Sequence, residues 1–327
     1  MAKTTAKSTP TKKPLKPTKS APKQPVTVSG PRKLKAPTYK TLRVSKRIKH
    51  PVKLPSVRSI FMQALRVVRA HKGLFFGIAA VYGLLNLLFQ GQGLLSGNDI
   101  AVLKQYFQLR DGLFIGLSGF AQVAGSSGTA SSGVASSFQF FLMVFVSLAL
   151  IYTLRQLHAA KPVTVRDAYY RCTAPLIPFL LVFLVIVIQL IPLLISSTLY
   201  QLVISNGIAV YAAEKFVWIA LLSLFSLLSV YFVSSSIFAL YIVTLPDMTP
   251  LQALRSAKHL VANRRWTVMR KVIVLPLILF VIAALLVVPI IIWLTPLTQV
   301  VFFVFTMFGF VLAHTYMYTL YRELIGE

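Results

Sequence analysis

Acidic side chains are the scarcest charged groups in this sequence: Asp and Glu number seven, against 34 Lys and Arg. The seven are Asp99, Asp111, Asp167, Glu214, Asp247, Glu323 and Glu327, and all fall in loops or chain ends rather than inside the long apolar runs. The intramembrane carboxylate that usually relays protons or couples cations is therefore missing. Cysteine is scarcer still. Cys172 stands alone, which excludes an intrachain disulfide and a thiolate zinc site, and points to a small, half-buried structural residue. The five histidines form no His-Glu-x-x-His arrangement, and no P-loop, dinucleotide fingerprint or nucleophile-elbow serine is present. No catalytic residue, metal ligand or cofactor site is expected on these grounds. The first 30 positions also lack the apolar core of a secretory signal.

Charge as a whole is sparse, at 13% of residues, where soluble domains carry about 25%. What charge there is lies unevenly. The first 72 residues hold 20 of the 34 bases and no acid. Nine prolines up to Pro55 remove backbone donors and restrict the residues before them, so no helix can grow there. Residues 1–54 thus read as a disordered Lys/Pro-rich arm with polyproline-like stretches. Its second half mixes Arg43, Lys46, Arg47 and Lys49 with Leu42, Val44 and Ile48, a composition suited to an anionic membrane surface. Nucleic-acid phosphate is the lesser alternative for the same charges.

The chain is 56% hydrophobic, concentrated in residues 55–327, where six runs approach the roughly 20 residues needed to cross hydrocarbon. They cover about 73–89, 138–154, 174–195, 216–243, 272–294 and 297–320. The fold class is all-α, a polytopic bundle of six membrane helices. Residues 113–124 are apolar but too short and Gly-broken to span, which suggests a re-entrant or interfacial piece. Residues 199–213 either prolong the third span or form a surface helix. The loops at 155–173 and 244–271 hold ten bases, and those on the opposite side hold Lys104, Arg110 and Lys215. Together with the arm, this bias places both termini in the cytoplasm and the protein in the cell membrane.

A pattern recurs ahead of the odd-numbered spans. Gln63-Ala64-Leu65-Arg66 precedes the first span, and Gln252-Ala253-Leu254-Arg255 precedes the fifth. In the first, Ile60, Ala64, Val67 and Val68 share a helical face; in the second, Leu251, Leu254, Ala257 and Val261 do. Ser56 and Thr249 are suited to cap these helices, with Pro250 at the first helical position. A shorter version, 162–171, precedes the third span. The reading is three units, each an interfacial helix followed by an outward and an inward span.

On the motif at 250–271, where Pro-x-x-Ala-Leu-x-x-Ala leads through Arg265 into a span, and on the repeat from Gln63, the chain resembles a broad bacterial group of six-span membrane proteins. That group includes the membrane domain found beside glycerophosphodiester phosphodiesterases. The resemblance covers roughly 55–325 and implies membrane residence. No recognisable phosphodiesterase domain accompanies it, so it implies no reaction.

Two sets of residues stand out. Arg43, Lys46, Arg47, Lys49, Arg66, Arg69, Arg264, Arg265, Arg270 and Lys271 are suited to contact anionic lipid, with Trp266 as an interfacial anchor. His314, Gln189 and Gln299 are polar groups within spans and form a potential intramembrane polar site. The expected role is non-enzymatic: organising anionic lipid or protein partners at the cytoplasmic face. The alternative is a transporter or permease, suggested by Pro178, Pro192, Pro276 and Pro289 near the ends of the third and fifth spans.

Overall fold

Apolar runs in lipid must satisfy their own backbone groups, and here they do so as helices. The computed structural model describes residues 54–90, 97–108, 116–117, 119–120, 133–209 and 211–326. These belong to the unit 52–327, and the expectations for the arm and for most of 113–124 fall outside them. The described helices are α1 (Val57–Ala70), α2 (Lys72–Gln90), α3 (Gly97–Gln108), α4 (Gly133–His158) and α5 (Val165–Arg171). After these come α6 (Leu176–Ser205), α7 (Ala212–Ser236), the single turn α8 (Ala239–Ile242), α9 (Pro250–Val261), α10 (Arg265–Trp293) and α11 (Thr298–Ile325). Among the described residues there is no strand.

Six helical segments are long and apolar enough to span: Lys72–Phe89, Ser137–His158, Leu176–Ser205, Ala212–Ile242, Arg265–Trp293 and Thr295–Ile325. The chain is a multi-pass membrane protein with an all-α bundle. The helix of the fifth span begins at Arg265, seven residues ahead of the apolar run, and passes through Arg270 and Lys271 before that run. Residues 199–205 prolong the third span rather than forming a separate helix.

α11 is the hub, packed against α1, α2, α4 and α10. Of the most apolar stretch of the second span 56% is buried, against 6% for the fourth, so the second is core and the fourth is periphery. α6 and α7 pair tightly with each other as a hairpin at that edge. Pro192 gives α6 no amide at its position, and the next amide, Leu193 N–H, donates across the hairpin to Ser229 Oγ at 3.2 Å. Pro178 lies in the first turn of α6, where backbone amides have no helical partner in any case. α6 and α10 run unbroken through Pro192, Pro276 and Pro289, so the broken helices of many transporters are not formed.

The end of the bundle that carries α1, α5 and α9 has a threefold regularity. Each of these helices opens on a hydroxyl that accepts from the amide three residues on: Ser56 from Ser59, Thr164 from Asp167 and Thr249 from Gln252. Such caps contribute about 1 kcal/mol each. Four residues after each cap comes a fully buried side chain, Ile60, Ala168 and Ala253, each 0% exposed. Eight residues after it comes a small buried one: Ala64, Cys172 and Ala257. Cys172 therefore does at the third span what alanine does at the other two, filling a close helix contact without projecting through it. Each following span then buries a pair three apart, Phe75 and Ile78, Phe179 and Val182, Val268 and Lys271.

In α9 the buried face is Ala253, Ala257 and Val261, and Leu251 is 67% exposed. Of the expected face, Ala257 and Val261 are buried and Leu254 packs against the core, while Ala253 replaces Leu251. Alanine permits the close approach, and Leu251 is left for the lipid boundary. At Gly77 the same closeness allows no side chain, since a Cβ there would lie 2.7 Å from Val165 of α5.

Candidate functional site

The basic end gains its chemistry from what the three capped helices leave exposed. α1 presents Arg58, Arg66 and Arg69, α5 presents Arg166 and Arg171, and α9 presents Arg255 and Lys258. Arg270 and Trp266 add to this surface, Trp266 with 67% of its area free. Arg264 and Arg265 are half-buried. Arg265 is committed to α7, where it donates to Tyr231 Oη at 2.9 Å and lies 5.5 Å from the centre of that ring. Arg43, Lys46, Arg47 and Lys49 lie outside the described residues.

Lys271 departs from the expectation of lipid contact. It is 5% exposed and donates its ammonium to the carbonyl of Pro55, the residue just before the α1 cap. Its own carbonyl accepts from Tyr316 Oη at 3.2 Å. Lys271 thereby fastens the lead-in to α1 against α10 and α11, and its charge does not reach a headgroup.

The three intramembrane polar residues are not brought together. Gln299 and His314 are 15 positions apart on α11, about 22 Å along the axis. Gln189 sits in α6 near the Pro192 site, with Oε1 buried and without a hydrogen-bond partner. His314 instead joins three spans. Ser147 Oγ donates to Met143 O at 2.8 Å, so it accepts from His314 Nε2–H at 3.2 Å. This assigns Nδ1 as the acceptor for Tyr241 Oη at 3.4 Å. The chain Tyr241 to His314 to Ser147 to Met143 runs in one direction and ends on a backbone carbonyl. Each of its donors is used, as a structural tie requires and a ligand site does not. His314→Phe is expected to destabilise the protein by about 1–2 kcal/mol, because it strands the Tyr241 hydroxyl. Unfolding of the purified chain in detergent measures this, and an unchanged midpoint would contradict the tie.

Arg155 is the polar residue whose role sequence reasoning missed. Read as a loop charge, it lies within α4 and reaches the end of the fourth span, where its guanidinium donates to Thr244 O at 2.7 Å, to Tyr241 O at 3.4 Å and to Thr244 Oγ1. These are carbonyls that a helix end leaves without intrahelical donors, and a cation is favoured beside them. Tyr241, Tyr318 and Tyr321 surround the contact, with ring centres 6.0 Å apart. The one sequence signal was that Arg155 directly follows Leu154, the last residue of an apolar run.

The end of α4, the turn after it and the short α5 border a half-open cleft of ≈ 290 Å³ lined by Tyr152, Gln156, Lys161, Asp167 and Arg171 among others. Thr164 both caps α5 and donates its hydroxyl to Asp167 Oδ2 at 2.6 Å. That hydroxyl, aided by Arg171 and Arg166, holds the Asp167 carboxyl below the usual range, so it is ionised at neutral pH. Behind it, burial pushes the Cys172 thiol up to about 11, which leaves it protonated and unreactive. Burial likewise raises Tyr169, whose hydroxyl donates to Ile78 O at 3.0 Å. Among the described residues no group of three His, Cys, Asp or Glu side chains is placed to hold a metal ion. No family model, no curated protein and no solved structure matches this chain.

Proposed function

We propose that this protein resides in the cell membrane with both termini in the cytoplasm, and that it gathers anionic lipid around its basic end without catalysing a reaction. The observation that supports this most is the set of three capped helices, each turning its apolar face into the bundle and its bases outward at the same end. Exposed Arg and Lys at such a surface contribute about 1 kcal/mol each towards anionic headgroups, within a Debye length. The arm, residues 1–54 with 16 bases and no acid, carries more of the same charge along the chain. The resemblance at 250–271 fits membrane residence. The unbroken α6 and α10 weigh towards this reading over a permease.

The full chain in detergent, titrated with phosphatidylglycerol or phosphatidylcholine and observed by native mass spectrometry, tests the proposal. Retention of the anionic lipid is expected to exceed that of the neutral one, and to fall roughly tenfold when Arg58, Arg66 and Arg69 are replaced together by Gln. Equal retention of the two lipids by the native chain would sink the reading.

A further inference from the structure

We infer that the cleft between the end of α4 and α5 binds the headgroup of an aminophospholipid, with Lys161 and Arg171 on its phosphate and Asp167 on its ammonium. This rests on the reading that the basic end lies at lipid headgroups, and it names a second lipid class for that end.

The argument starts from the charges. A surface that only attracts anions has no use for a carboxylate among its cations. Here Asp167 lines the same cleft as Lys161 and Arg171. Asp167 and Arg171 are one helical turn apart, the spacing at which opposite charges usually pair. No ion pair joins them, and Asp167 Oδ2 is taken by Thr164 while Oδ1 remains uncommitted. Two cations and one anion that act on each other only at a distance, without a direct ion pair, complement a group bearing both a phosphate and an ammonium.

The two cations come from different elements, and their placement is built. Arg171 is the last residue of α5. Lys161 follows Ala160, which holds a left-handed φ of 53° where glycine is the usual residue. The Lys161 amide closes that turn on Gln156 O at 3.1 Å, a five-residue step back that ends α4 abruptly. This turn places Lys161 in the lining of the cleft. A space of ≈ 290 Å³ equals the volume of roughly ten liquid waters, which accommodates a phosphate and a short amine.

An ammonium with N–H groups donates to Asp167, whereas the methylated ammonium of choline cannot. The full chain in detergent is therefore titrated with dioleoyl phosphatidylethanolamine and dioleoyl phosphatidylcholine, with native mass spectrometry as readout. The ethanolamine lipid is expected to bind about fivefold more tightly, the scale of an exposed charge pair. Asp167→Asn is expected to erase that difference, and Lys161→Gln with Arg171→Gln to weaken both lipids alike. Equal binding of the two lipids by the native chain would overturn the proposal, as would a preference that survives Asp167→Asn. Soluble O-phosphoethanolamine is expected to leave bound lipid in place; displacement at equal concentration would overturn the lipid assignment in favour of a free metabolite. The broader reading fails on a different measurement, the absence of any preference for phosphatidylglycerol over phosphatidylcholine, which depends on Arg58, Arg66 and Arg69 outside the cleft.

Discussion

Replacing Arg155 with Met is expected to destabilise the protein by about 3 kcal/mol, a large effect for a residue at the edge of a span. The guanidinium serves Thr244 O, Thr244 Oγ1 and Tyr241 O, and each hydrogen bond from a charged donor contributes about 1.5–3 kcal/mol. The gain from no longer burying a cation offsets part of that loss. With the guanidinium gone, Thr244 O loses its donor, and Tyr241 O keeps only the Thr244 hydroxyl at 2.9 Å. Arg155→Lys should recover roughly half, because one ammonium cannot span the two carbonyls that a planar fork reaches together. Thermal unfolding of the purified variants decides this. If Arg155→Met melts with the native chain, the guanidinium is not what holds the fourth span against the second.

The second large effect concerns the small residues under the three capped helices. Ala64→Leu, Cys172→Leu and Ala257→Leu should each cost about 3 kcal/mol, since all three positions are at most 1% exposed and the contacts have no room for a longer side chain. Cys172→Ala should cost under about 1 kcal/mol, because alanine already occupies the two matching places. Met62→Leu, on the 47%-exposed side of α1, should be neutral. Comparable losses at 64, 172 and 257 would establish the regularity as a packing rule. Tolerance of leucine at any one would break it.

How much of this was legible beforehand follows from the range of each interaction. Hydropathy is local and strong, so six spans and their order were readable, as were Ser56 and Thr249, whose capping partners lie three residues away. Of the α9 face expected from the pattern, Ala257 and Val261 are buried and Leu254 packs against the core; Leu251 is the exception, and Ala253 takes its place. In a close helix contact the buried residues are small, and Leu251 points away. Lys271 reads as a surface charge in sequence because nothing near it announces Pro55, 216 positions earlier. His314 was recognised as a costly polar group, but its partners Ser147 and Tyr241 lie 167 and 73 positions away. The cleft uses residues close in sequence, 152–171, yet it depends on the left-handed turn at Ala160, which an alanine does not signal.

The central claim is that α1, α5 and α9 share one face of a six-span bundle. Single cysteines introduced as Arg58→Cys, Arg166→Cys, Lys258→Cys and Lys215→Cys on a Cys172→Ala background test it directly, with a membrane-impermeant maleimide applied to cells before and after permeabilisation. Arg58→Cys, Arg166→Cys and Lys258→Cys are expected to react only after permeabilisation, and Lys215→Cys to react in intact cells. Labelling of any of the first three alongside Lys215→Cys in intact cells would contradict the account.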